Sequence, residues 1–228
     1  RDDENAMLTA PILISLLPAI SALHRPPLVS PYANRRQALS IATGLCTLGS
    51  CREVTLAAPA PEPLTELADS QFAYRLTYPS DWKTSPKPVK THLHETLLSS
   101  PDGYPKLGIT VDPVKINSLE AFGTLEQVTT KVLAVEETRD GVQSVTLRAN
   151  DAQVADPNTG TPTYYTIEYV TVSSRGKKVF VCKYAITAGK LYVLQAQAKQ
   201  DSYDNNEAMR LQVRSIVSSF TVDTGTRA

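Results

Sequence analysis

The sequence predicts an α+β domain built on an antiparallel sheet, and three observations lead to this fold class. Runs with the period-two or continuous apolar pattern of strands recur between residues 72 and 198. The turn signals DPNTG, SSRG and TAG join the last of these runs, and such short links cannot form parallel crossovers. Convincing helical periodicity is confined to two stretches, which are expected to cover the faces of the sheet.

The first strand shows the clearest alternation. Aromatic residues and leucine occupy positions 72, 74, 76 and 78, and Pro79 ends the run because proline has no backbone donor. Trp82 follows and is placed to pack over the rim of the sheet. In the central strand, Tyr164 and Tyr165 should point to opposite faces, one toward the core and one toward water. Six further strands are predicted over residues 92–100, 106–114, 143–152, 163–172, 177–187 and 190–198.

Two helices are predicted. Residues 118–137 place apolar side chains at helical spacing, and Gly123 predicts either a break or two consecutive pieces. Residues 201–219 carry a second apolar stripe with charged residues on the other side. Phe220 should then return an aromatic side chain to the core.

The first 60 residues are predicted to be a multipartite targeting presequence. The run LTAPILISLLPAISAL is too short and too interrupted by proline to span a membrane, and it resembles the apolar region of a secretory signal. HRPPLVSPYANRR lacks acidic residues, as organelle transit segments do. Arg35 and Arg36 then precede an uncharged run and the small residues Ala58 and Ala60, which repeats the plan of a signal peptide.

This order of signals resembles the precursors of thylakoid-lumen proteins in algae with complex plastids. Cleavage after Ala60 would leave residues 61–228, in which residues 61–70 form a flexible, proline-rich arm and residues 71–224 the folded domain. Two alternatives stay open: a tail with no targeting function, and a lipoprotein box at residues 48–51 that would leave Cys51 attached to lipid.

Charge and cysteine content exclude some classes of protein. Residues 61–228 contain 18 Lys and Arg against 19 Asp and Glu. This balance implies no strongly basic face, so nucleic acid is not the expected partner. Cys182 is the single cysteine of this segment, and within a strand it is expected to be a small buried side chain rather than a nucleophile.

Three segments, in this order, are similar to the PsbP family of thylakoid-lumen proteins. They are FAYRLTYPSDWK, TPTYYTIEYVTVS and GKLYVLQAQAKQDSYDNNEAMRLQVRSIVSSFTV, and with the spacing between them they cover about residues 70–222. The resemblance implies an α-β-α sandwich with a central antiparallel sheet. The stretch AQAKQDSYDNN lacks the tryptophan that follows this strand in the founding member, which leaves the subfamily open.

The resemblance also implies a function. The founding member of the family binds the lumenal face of photosystem II and helps to retain calcium and chloride near the manganese cluster. Other members support assembly, repair or accessory complexes. The chain is therefore expected to be a non-catalytic protein that is peripheral to the thylakoid membrane and docks on photosystem core or lumenal subunits. An accessory or assembly role on photosystem I or another thylakoid complex is the alternative.

One pair of residues suggests a metal-dependent enzyme as an alternative of another class. His92 and His94 are two residues apart in THLHE, so on a strand they would share a face, with Glu95 pointing away. Zinc needs further ligands, and a solvent-facing or pH-sensitive pair is the simpler interpretation.

A second group offers oxygen ligands for calcium. Asp151, Asp156 and Asn158 lie in NDAQVADPNTG, but their spacing lacks the EF-hand pattern, so a solvated hairpin is the simpler interpretation. The sequence contains no G-x-S-x-G, no H-E-x-x-H and no phosphate-binding glycine loop. A carrier of pigment or lipid is a third hypothesis, although the sequence has no glycine-lined or unusually aromatic stretch that would indicate such a cavity.

A basic loop is the candidate docking site. Lys83, Lys87 and Lys90 lie in WKTSPKPVK, where prolines favour an extended chain and no acidic residue occurs. Their ammonium groups should face outward and could contact an acidic lumenal surface. The alternative is an ordinary solvated loop.

Overall fold

The structure is a computed structural model that describes residues 63–86 and 91–224. The predicted presequence over residues 1–60, the first residues of the predicted arm and the lysines at 87 and 90 lie outside the described residues. The predictions for these segments therefore stay predictions.

The domain contains ten strands and four helices among the described residues. The strands are β1 (Leu64–Asp69), β2 (Tyr74–Pro79), β3 (Lys83–Pro86), β4 (His94–Ser99), β5 (Lys106–Pro113), β6 (Val142–Gln153), β7 (Tyr164–Ser173), β8 (Gly176–Thr187), β9 (Lys190–Lys199) and β10 (Thr221–Val222). The helices are α1 (Leu119–Phe122), α2 (Leu125–Glu137), α3 (Gln200–Asn205) and α4 (Glu207–Ser219).

Within residues 63–86 and 91–224, the strands form two sheets. The large sheet has seven strands in the order β3-β4-β5-β9-β8-β7-β6, and all of its neighbours are antiparallel. The small sheet has the order β1-β2-β10. The short links between β7, β8 and β9 produce the predicted antiparallel pairing, and Gly176 takes φ +102° in the first of these turns, where a side chain would be strained. The predicted α+β class is confirmed.

Helices cover both faces of the large sheet. One hydrophobic core includes side chains of β2, β9 and α4, and the other packs α1 and α2 against the opposite face of β7 and β8. The result is the α-β-α sandwich that the resemblance implied. In the described part of the chain, no helix is long and apolar enough to cross a membrane.

Because helices cover both faces of the large sheet, one prediction from the sequence is wrong. Tyr164 belongs to the core beneath α4 and Tyr165 to the core beneath α1 and α2, so the two tyrosines do point to opposite faces. Both are buried, with 1% and 5% of their surface exposed. The prediction that one would face water was wrong, because the second face of β7 is also covered.

The segment predicted to be a flexible arm contains β1. All six of its residues pair antiparallel with β2, so this part is a paired strand rather than the predicted flexible arm. Its side chains stay largely exposed, and Leu64 is 65% exposed. Main-chain hydrogen bonds hold the strand, and Leu67 packs against the hydrophobic core. Because most of its side chains are exposed, the composition of the segment gives little indication of a strand.

Both predicted helices are divided. Gly123 takes φ +151° between α1 and α2, and the side chains of Thr124 and Gln127 form a capping box at the start of α2. The prediction of two consecutive pieces is confirmed here. The stretch 201–219 was predicted as one helix, but Asn206 adopts an extended conformation and its side chain caps α4 by accepting from the Met209 amide at 3.0 Å.

Candidate functional site

The two histidines have different partners. The Nε2 atom of His94, the first residue of β4, lies 2.9 Å from the Tyr74 hydroxyl and 3.5 Å from Asp69 Oδ2. The ring of His94 stacks on Phe72 with a centroid separation of 4.4 Å. Aromatic stacking and hydrogen bonding therefore fix this ring where the small sheet meets the large one.

His92 lies before β4 and is buried, so the expectation that it would face solvent was wrong for this residue. Its Nδ1 atom is 2.7 Å from Asp112 Oδ2. Asp112 follows the core residue Val111 on β5, and successive strand residues face opposite sides. His92 and His94 therefore do not lie on one face of a strand as predicted, because His92 is outside β4. Among the described residues, no group of three His, Cys, Asp or Glu side chains could hold a metal ion.

The predicted calcium ligands line separate surfaces. Asp151 lies on β6 and borders a groove of about 270 Å³ beside Arg214, whereas Asp156 and Asn158 border a depression of about 420 Å³ near Thr224. The structure does not bring the three predicted ligands into one of these sites.

The Asp156 carboxylate is used within its own turn. The Asn158 amide donates to Oδ1 at 2.9 Å and the Thr159 hydroxyl to Oδ2 at 3.1 Å. The backbone hydrogen bond from Asn158 holds the pKa of Asp156 below its usual range. This arrangement matches the solvated hairpin that was the simpler interpretation.

The structure places one of the three loop lysines. Lys83 is exposed and begins β3, an edge strand of the large sheet, where it pairs with Ser99. Residues 83–86 were predicted as part of a loop but form a paired strand. Lys87 and Lys90 lie outside the described residues, so the rest of the loop stays a prediction.

A cluster of lysines that the sequence analysis missed surrounds Tyr104. The Nζ atoms of Lys106, Lys199 and Lys178 lie 5.0, 5.4 and 5.9 Å from the centroid of its ring. These lysines belong to β5, β9 and β8, which are adjacent in the sheet but distant in sequence. The sequence carries no indication of this cluster, because the overall charge balance does not show which strand ends lie together in the sheet.

A second charged network ties the helices to the sheet. Arg214 of α4 donates to Glu168 Oε2 at 2.7 Å and to the Tyr203 hydroxyl at 3.2 Å. Arg148 of β6 donates to Asp204 Oδ2 at 2.8 Å. Because the Glu168 carboxylate is buried, its contact with Arg214 compensates for the loss of hydration.

Two buried side chains of β8, the Cys182 thiol and the Lys183 amine, are of types that can act as a nucleophile or a base, but both make structural contacts. Burial raises the pKa of Cys182 to about 12, which keeps the thiol protonated and unreactive and confirms its prediction as a buried side chain. Lys183 donates to the carbonyls of Ser218 at 3.1 Å and Phe220 at 2.8 Å. Burial lowers the pKa of Lys183 to about 8.

Comparisons with known proteins agree with this architecture. The PsbP family model matches residues 62–222. PsbP domain-containing protein 2, chloroplastic, of Arabidopsis thaliana is 28% identical over 172 residues, a match that covers 72% of this chain and 68% of that protein.

The solved structure of a cyanobacterial relative shows the same fold. Cyanobacterial PsbP (CyanoP) from Synechocystis sp. PCC 6803 is similar with a TM-score of 0.57 and 20% identity, over 77% of this chain and 98% of that one. The Ran-binding protein Mog1p of Saccharomyces cerevisiae gives a TM-score of 0.48 and 14% identity, over 72% and 98% of the two chains. Since the family model spans nearly all of the described domain, the chain belongs to the PsbP family.

Proposed function

We propose that this protein is a non-catalytic extrinsic protein of the thylakoid lumen that docks on photosystem II. There it supports oxygen evolution, through retention of calcium and chloride, or the assembly of the complex. The observation that carries the proposal is the family match over residues 62–222. Family membership indicates a photosystem-associated lumenal protein, and the relative in Arabidopsis thaliana is described as chloroplastic.

The reactive groups of the domain favour binding over catalysis. The His92 imidazole lies against Asp112, the Glu168 carboxylate against Arg214, and the Cys182 thiol has a pKa of about 12. Each of these groups already serves the packing of the fold. This supports a scaffold that acts through its surface, in line with a family that is generally non-enzymatic.

Fractionation of thylakoid complexes tests the proposal. Photosystem I and photosystem II are separated from the native membranes, and the protein is located by mass spectrometry. We expect it with photosystem II, and we expect its removal by concentrated salt to lower oxygen evolution until calcium and chloride are added back.

Two outcomes would contradict this assignment. Co-migration with photosystem I would support the accessory or assembly role on that complex instead. Absence of the protein from thylakoid fractions would reject the lumenal photosystem function as a whole.

A further inference from the structure

One end of the large sheet concentrates positive charge on a single aromatic ring. The turn between β4 and β5 brings Tyr104 to this end, and Lys106, Lys178 and Lys199 approach the ring to between 5.0 and 5.9 Å. An ammonium within about 6 Å of a tyrosine ring is attracted to the negative face of the ring. Tyr104 thus gathers three positive charges from three strands.

Strand register adds Lys83 to this group. Lys83 lies opposite Ser99, and Ser99 lies opposite Lys106. Directly opposite strand residues point to the same face of a sheet. Lys83, Lys106, Lys178 and Lys199 therefore share one end and one face of the sheet, the face that carries α2, and we call them the lysine row.

The charges of the lysine row repel one another. Lys178 and Lys199 are directly opposite each other on β8 and β9, an arrangement that destabilises a sheet when the charges are alike. In the described part of the chain, neither Lys106 nor Lys199 has a carboxylate within salt-bridge distance. An anionic partner would relieve this repulsion. The row should therefore bind an anion more strongly than a single surface lysine would.

We infer that the lysine row binds an acidic segment of a partner protein. The inference rests on the proposed function, because a photosystem subunit would supply that segment. Three of the ammonium groups lie 5.0 to 5.9 Å from one ring centroid, and Lys83 lies two strands away from Lys106. The row therefore presents several ammonium groups close enough together for the side-chain carboxylates of one segment to reach.

A lipid surface fits the row less well. Membrane-surface sites combine basic residues with apolar side chains that enter the bilayer. The large exposed apolar residues of residues 63–86 and 91–224 are Leu64, Leu93, Leu147, Val154 and Leu211. None of them lies on the strand ends that carry the lysine row.

Two double variants with the same change in charge test the inference. Lys106→Glu with Lys199→Glu reverses the row. Lys115→Glu with Lys177→Glu is the matched control, because Lys115 is exposed beyond the far end of β5 and Lys177 is exposed on the opposite face from Lys178. Both are introduced into the full-length gene in the native cells, and retention of the processed protein on isolated photosystem II membranes is measured against salt.

We expect the row variant to associate at least about tenfold more weakly than wild type at low salt, and the control to match wild type. The difference should disappear near 1 M salt, where the Debye length is about 3 Å. Lys106→Gln with Lys199→Gln should give an intermediate loss, which separates the effect of charge from misfolding caused by introduced glutamates.

The outcomes separate the inference from the proposed function. If wild type is retained by photosystem II and all variants are retained equally, the inference fails and the proposed function stands. If wild type is not retained, the proposed function fails. If wild type binds protein-free galactolipid vesicles only when they contain an anionic phospholipid, and the row variant does not bind them, the partner is lipid and the acidic-segment assignment is overturned.

Discussion

At the scale of single residues, Lys183 gives the domain a predictable dependence on pH. The side chain is buried, its ammonium donates to two carbonyls at the C-terminal end of α4, and it lies 4.3 Å from the centroid of the Tyr164 ring. Burial lowers the pKa of Lys183 from its ordinary value of 10.5 to about 8. Below pH 8 both the folded and the unfolded states carry the proton, so the desolvation of the buried charge opposes folding there.

As the pH rises from about 8 to about 10.5, the unfolded state keeps the proton that the folded state loses, so stability rises through this window. We expect the free energy of unfolding of wild type to increase by up to about 3 kcal/mol relative to Lys183→Met over this range. Denaturant unfolding at several pH values measures the difference. Burial also raises the pKa of Tyr169 and Tyr184, which lowers stability above pH 10 in both proteins and cancels in the comparison. Parallel pH profiles for the two proteins would contradict the role given to Lys183.

At the scale of elements, Asn206 decides that the C-terminal helical stretch is two helices. Its side chain accepts from the Met209 amide at 3.0 Å, which satisfies one of the free amides at the start of α4. We expect Asn206→Ala to lower the free energy of unfolding by about 1 kcal/mol. Asn205→Ala is the matched control, since Asn205 is an exposed neighbour of the same type at the end of α3. Fluorescence of the single tryptophan during denaturant unfolding compares the two variants, and equal losses would show that the cap contributes nothing specific.

At the scale of the whole molecule, the N-terminal segment should deliver the domain to the lumen. The twin arginines at Arg35 and Arg36 are expected to be needed for the last transport step, because twin-arginine signals are recognised by their receptor rather than by charge alone. Changing both to lysine should leave a longer precursor outside the lumen, whereas Arg25→Lys should be processed normally.

N-terminal sequencing of the protein from thylakoids checks this prediction and should give a start close to Pro61 in wild type. Normal lumenal delivery of the double-lysine variant would reject the twin-arginine interpretation. A lipid-modified start at Cys51 would instead support the lipoprotein alternative.

The sequence by itself determined the features that depend on local pattern. Apolar patterns predicted seven of the ten described strands, β2 and β4 to β9, and short turn signals predicted their antiparallel pairing. Gly123 marked the division between α1 and α2. These rules succeed because they involve residues close together in the chain. The local sequence also predicted that Lys83 is exposed, which the structure confirms.

Only the tertiary structure decided what lies beside each element. Tyr165 is buried because α1 and α2 cover a second face, and β1 is ordered by pairing with β2 despite a composition that predicted an arm. The lysine row exists because register aligns β3, β5, β8 and β9 at one end of the sheet. The balanced composition of the chain could not reveal this row, because charges that are distant in sequence become neighbours only when the sheet forms.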